Sequence, residues 1–215
     1  VAFMVVIAVF APLIAPYDPN AINPVLPIKG IGTPGHLFGT DDLGRDILSR
    51  IIYGSRISMI VAVGATIVGA IIGVLIGLTA GYFGGWIDAV LMRIMDGMFS
   101  FPFILLAMIL ITVLGNGVMN VILAIGIASV PGFARVTRGQ VLIVKEEEYC
   151  NACRVVGVSP VRLLFLHILP NCVSQIIVYA TLRIASAIIS EASLSFLGLG
   201  IALPTASWGS ILRVG

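Results

Sequence analysis

Residues 57–80 run ISMIVAVGATIVGAIIGVLIGLTA and hold no charged side chain. A helix that crosses a membrane needs roughly 20 predominantly apolar residues, and this stretch supplies them without a break. Gly69, Gly73, Gly77 and Gly81 recur at every fourth position, and Ala65 extends the row. On a helix they form one smooth stripe. Small residues at this spacing let a second backbone approach closely, where lipid supplies no hydrophobic drive between helices. The stripe serves either as fixed helix packing or as a surface along which helices slide.

The rest of the chain is of the same kind. Mean hydropathy is +1.14, with 59% apolar and only 10% charged residues. A soluble domain carries about 25% charged residues, so lipid is the solvent that this composition demands. A net charge of +2 and the absence of a basic run exclude a nucleic-acid partner. The fold class is all-α: a polytopic membrane helix bundle.

Working outward, residues 1–15 form a partial first span. They lack the basic lead and small-residue cleavage site of a signal peptide. Residues 16–56 form a Pro- and Gly-rich loop that closes in a short amphipathic helix over 42–56. A third span is expected over 86–114. The turn signal Gly115-Asn116-Gly117 then separates it from a short fourth span over 118–134. A fifth span covers 172–190, for about five in all. Both ends have the character of a longer chain that has been cut. The membrane domain as a whole occupies 57–213. Lys and Arg counts favour 135–162 as cytoplasmic and 29–56 as extracytoplasmic.

Charges inside spans are costly and face a protein interior or cavity. Asp88 falls near a membrane boundary. Arg93 and Asp96, three apart, share a helix face and are positioned to pair. Arg183 and Glu191 lie in or at the end of the fifth span. Two roles fit this set: a solute or proton pathway, or structural pairing between helices.

Residues 135–170 carry the most specific pattern. Glu146, Glu147 and Glu148 suit the start of a helix, and Gly157 suits its end. Ser159 then fits an N-cap with Pro160 at the first helical position, and Pro170 closes a second short helix. Two short helices between spans make a compact knob, a docking element by shape.

The stretch EYCNACRVVG over 148–157, followed by HILPN over 167–171, resembles the coupling segment of ABC importer permeases. That family's signature runs E-A-A, then glycine, then I-x-L-P at fixed spacing. The form typical of its dipeptide, oligopeptide and nickel branch is matched by Glu148, Tyr149, Ala152, Arg154, Gly157, His167, Leu169, Pro170 and Asn171. Asn151 and Cys153 depart from the general signature, both by small side chains. The block FGTDDLGRD over 38–46, with Ser49-Arg50 and 53–56, resembles the stretch between the first two spans of the C-type permease of that branch.

The resemblance implies a multi-pass protein of the cell (inner) membrane, with a sixth span in the full chain. It implies an ATP-driven, binding-protein-dependent importer in which this chain forms half of the path for peptides or a related solute such as nickel. The implied partners are a related permease in a heterodimer, two cytoplasmic ATPase subunits and an extracytoplasmic solute-binding protein. Residues 146–170 would dock in a groove on the ATPase. Glu148 and Arg154 would make polar contacts there, Ala152 and Gly157 would permit close approach, and Pro170 would set the exit angle. No cofactor belongs to this chain, because ATP is hydrolysed by the partners.

Other chemistry has less support in the residues. Cys150, Cys153, His167 and Cys172 have a spacing that suits zinc, but the permease pattern already accounts for their neighbourhood, and buried small thiols are the better reading. The sequence contains no nucleophile elbow and no phosphate-cradling Gly-rich loop with its Lys. An enzyme is therefore not expected. The competing function is a secondary transporter or channel subunit that works without an ATPase, which would build its site from interrupted helices.

Overall fold

The computed structural model describes residues 2–201 and 204–214 of the 215-residue chain, with side chains over 4–201 and 204–213. Val1, where the expected first span begins, lies outside the described residues. The described chain is helical and forms no strand, only two isolated bridges at Thr33–His36 and Thr40–Asp46.

Helix α1 spans Ala2–Ile14 and α2 spans Ile47–Phe83. Asp46 starts α2. Its Oδ2 accepts from the Ser49 backbone N–H at 2.8 Å and from the Ser49 hydroxyl at 2.7 Å, satisfying one of the donors that every helix start leaves unpaired. The short helix expected over 42–56 begins only at Ile47, and from there it runs without interruption through the span expected over 57–80. Only Gly54 lies near the expected break, and one interior glycine costs about 1 kcal/mol, too little to stop a helix of 37 residues. The helix stops where Gly84 and Gly85 take positive φ of 64° and 53°.

The expected span over 86–114 is divided into α3, Gly85–Phe99, and α4, Phe103–Leu114, which bend by 91° at the break. Pro102 accounts for the break, since it has no N–H to donate and pushes the residue before it away from helical geometry. Helix α5, Val118–Val144, overruns its expected end at 134 by a further turn and more. Pro131 does not interrupt it, and Arg135 and Arg138 lie within it because each has a carboxylate partner.

Helix α6, Glu148–Val155, and α7, Pro160–Leu163, are the two short helices expected. Ser159 is the N-cap of α7 by position, without a side-chain hydrogen bond. A π-turn at Leu164–Ile168 leads into α8, Leu169–Phe196. Pro170 therefore does not end a helix: Pro160–Phe196 is helical throughout. Pro170 sits in the first turn after the wider π-turn, where its missing N–H is tolerated. Helix α9 covers Trp208–Val214.

Among the described residues, three helices, Ile47–Phe83, Val118–Val144 and Pro160–Phe196, are long and apolar enough to cross a membrane, and a fourth is reached if the bent pair counts as one. Met4–Ile14 is apolar but shorter.

The chain divides into two compact units. One takes the chain up to Gly64, Met108–Ala124 and the chain from Ala185. In it, the loop between α1 and α2 is held by Thr40, whose Oγ1 accepts from Lys29 N at 3.0 Å and donates to the Leu26 carbonyl. Asp41 pairs with Arg45 at 2.6 Å, and Asp46 also meets His36 at 2.9 Å. Trp208 Nε1 donates to the Ile51 carbonyl at 3.0 Å, tying α9 to α2.

The other unit takes Ala65–Ala107 and Ile125–Ile184. Its α2 and α5 meet along the glycine stripe. A Cβ on Gly73 would lie 2.5 Å from Phe133 Cβ. On Gly77 it would lie 2.5 Å from the Ala134 carbonyl, and on Gly81 2.8 Å from Val141 Cβ. Gly69 faces the Ser129 hydroxyl more closely still. The backbones approach to a separation that only glycine allows.

Candidate coupling segment and intramembrane charges

Residues 146–170 form a hairpin of short helices whose inner side is fixed and whose tip is free. Cys150, Leu163, Leu164, Ile168 and Cys172 are buried with Leu78, Val141 and Val144 in one apolar cluster. Cys150 Sγ donates to the Val144 carbonyl at 3.3 Å. Cys150 and Cys172 thus act as small apolar side chains in that cluster, and all three cysteines are free thiols.

Between the short helices, Gly157 takes φ +83°. Val158 N donates to the Cys153 carbonyl at 3.0 Å and Gly157 N to the Arg154 carbonyl at 3.1 Å. This is the Schellman pair of bonds that terminates a helix at a left-handed glycine. Nothing lies within 4 Å of a Cβ placed on Gly157, so within this chain the glycine is required by backbone conformation and not by crowding.

The remaining signature residues divide into two groups. Tyr149, His167 and Asn171 form a clasp: Asn171 Nδ2 donates to the Tyr149 hydroxyl at 3.1 Å and to the His167 carbonyl at 2.7 Å. The clasp ties α6 to the start of α8. Desolvation first, and the neighbouring Cys150 thiol second, push the Tyr149 phenol up to about 12, so it remains a neutral hydroxyl at physiological pH. Glu148, Ala152 and Arg154 face outward. Arg154 Nη1 donates to Asn151 Oδ1 at 2.8 Å, and its guanidinium lies 5.9 Å from the centroid of the Tyr82 ring. Leu169 is half-buried beside the cluster, and Pro170 is exposed.

The intramembrane charges find partners other than those their spacing predicts. Asp96 pairs with Arg135 at 2.6 Å, not with Arg93. Arg93 is exposed on α3. Asp88 receives two hydrogen bonds from Arg138, from Nε and Nη2, each at 2.5 Å. This is the fork geometry that makes Arg–carboxylate pairs strong. Lys145 Nζ donates to the Gly81 carbonyl at 3.0 Å, closing the C-terminal end of α2. Glu191 is fully buried and held by two hydroxyls, Ser58 Oγ and Ser195 Oγ, each donating at 2.8 Å. Arg183 lies over the Phe103 ring, 4.7 Å from its centroid.

Residues 73–215, which include the hairpin, match the family described as binding-protein-dependent transport system inner membrane component. The chain belongs to this family. It is 47% identical over 213 residues to the glutathione transport system permease protein GsiD of Escherichia coli O157:H7, covering 99% of this chain and 70% of the relative. The protein of the same description from Shigella flexneri serotype 5b is 48% identical over the same coverage. The protein is a multi-pass inner-membrane permease subunit of an ATP-driven, binding-protein-dependent importer.

Within this permease, several contributors carried no sequence signal of their own. Arg135 and Arg138 look like loop charges after an apolar run, and only their meeting with α3 makes them helix residues. Ser58 reaches Glu191 across a sequence separation that no local rule spans, whereas Ser195, four residues further along α8, shares its helix face. Asp46 was legible in principle, as an acidic residue ahead of an apolar periodic run.

Proposed function

We propose that residues 146–170 couple the permease to its ATPases, and that solute crosses as these helices are driven between inward- and outward-facing arrangements. The observation that carries this reading is the exposed apolar tip. Val155 is 88% exposed, Val156 82% and Val161 65%, on a hairpin anchored in the core beneath. An apolar tip on a rigid base, outside the apolar span stretches, is suited to a hydrophobic groove on a partner. The hairpin lies on the cytoplasmic side, and the bent pair α3–α4 crosses as one broken span. Helix α1 belongs to a further span.

The partners in this reading are a related permease subunit, two cytoplasmic ATPases and an extracytoplasmic binding protein. ATP is the ATPases' substrate, and this chain holds no cofactor. The similarity to glutathione transport permeases supports small peptides of glutathione's size as the solute class.

The test is Val156→Asp in the complete transporter. It places a carboxylate at the tip and leaves the Gly157 turn intact. Uptake and co-purification of the ATPases should both fall at least about tenfold, with normal amounts of permease in the membrane. Burying one unpaired charge is costly enough for that loss. Unaltered uptake would remove residues 146–170 as the docking element.

A further inference from the structure

Within the unit of Ala65–Ala107 and Ile125–Ile184 lies a cavity of about 120 Å³. It sits where α3 ends, α4 begins, α5 carries Pro131 and α8 passes with Tyr179 and Arg183. Phe99, Phe101 and Phe103 give it an aromatic wall. Among the described residues no carboxylate lines it.

Arg183 is the single cation of this lining. Its guanidinium face is covered by Phe103, but its Nε is buried with no hydrogen-bond acceptor among the described residues. Arginine presents its donors as a planar fork matched to a carboxylate, and buried donors in native proteins nearly always have a partner. Among the described residues the Nε of this fork has no partner. Tyr179, four residues earlier on α8, shares its helix face and is fixed edge-on against Phe133 at 4.8 Å. The break at Pro102 starts α4 at the same wall, with Phe103 and Leu106 of its first turn lining the cavity. A helix start favours negative charge, and interrupted helices present such starts to anionic solutes inside membranes.

We propose that this cavity receives a carboxylate of the transported solute, held by Arg183 with its adjoining carbons against the phenylalanines. The cavity has room for a carboxylate and the carbons next to it. It is a subsite on the path. This deepens the importer reading and rests on it.

The test uses the complete transporter in proteoliposomes with its binding protein, ATP, and radiolabelled glutathione and dialanine as probes. Import and ATP hydrolysis stimulated by the loaded binding protein are measured together. Arg183→Gln should lower import of the carboxylate probes at least about tenfold, the loss of one charge-assisted pair, while stimulated ATP hydrolysis stays within about twofold. Arg183→Lys, which keeps the charge, should recover part of the import. Unchanged import in Arg183→Gln would overturn the proposal. So would equal loss of import and ATP hydrolysis in both variants, because that marks a purely structural arginine. A wild-type complex that imports neither probe with ATP would sink the small-peptide importer reading itself, and this subsite with it.

Discussion

Substituting Gly73 by alanine probes the close contact between α2 and α5. The added Cβ would lie 2.5 Å from Phe133 Cβ, 2.7 Å from the Val130 carbonyl and 3.0 Å from Ala134 N. Carbon atoms rest at about 3.5–4.0 Å, so α5 must withdraw by roughly 1 Å or distort. Two of the three obstacles are backbone atoms, which have no alternative rotamer to adopt. Overpacking of this kind costs about 1–3 kcal/mol, against which the helix regains about 0.5–1 kcal/mol on exchanging glycine for alanine. A net loss of about 1–2 kcal/mol follows. For a chain of this size that is about 2–8 °C in the melting temperature, measured on purified permease in detergent. Gly139→Ala is the control. It is a helical glycine on α5 with nothing within 4 Å of its Cβ, so the same exchange should stabilise by about 0.5–1 kcal/mol. Equal shifts in the two variants, or no loss for Gly73→Ala, would refute the account of the stripe as a close backbone seam.

Three further outcomes are expected. Asp88→Asn removes the charge from a forked pair and should cost about 1 kcal/mol, less than a buried pair because both side chains are partly solvated. The reciprocal exchange Asp88→Arg with Arg138→Asp should recover most of it in a thermal melt. Asn171→Ala opens the clasp on Tyr149, so amide exchange across 148–155 should accelerate about tenfold, the equivalent of one hydrogen bond, with little change elsewhere. Glu191→Leu strands the Ser58 and Ser195 hydroxyls and should lower stability by about 2–4 kcal/mol. Glu191→Gln keeps an acceptor and should lose under half of that. Similar melts for both Glu191 variants would rule out the hydroxyl pair as what holds this residue.

What the sequence determined follows from local rules. An apolar run without charge must be a helix in lipid, since no other open structure satisfies its backbone there. Glycines at every fourth position must share a face. Gly157 and Pro160 punctuate the hairpin of residues 146–170 through their own φ preferences, which act within a few residues. The same locality explains the errors. Polarity changes near residue 57 and suggests a division within 47–83, yet a helix ends at a backbone breaker and not where hydrophobicity changes. The charges of Arg135 and Arg138 place the end of the fourth span at 134, yet α3 brings Asp96 and Asp88 to meet them.

Only the tertiary structure decided which charges pair, and it chose helix-to-helix partners over Arg93, the nearer one in sequence. It also brought Ser58 to Glu191 and closed an aromatic cavity around Arg183. The reason is common to all of them. Backbone geometry sets local conformation within a turn or two, whereas the partner of a buried polar group is set by which distant helix packs against it, and that is fixed by the fit of whole helix faces.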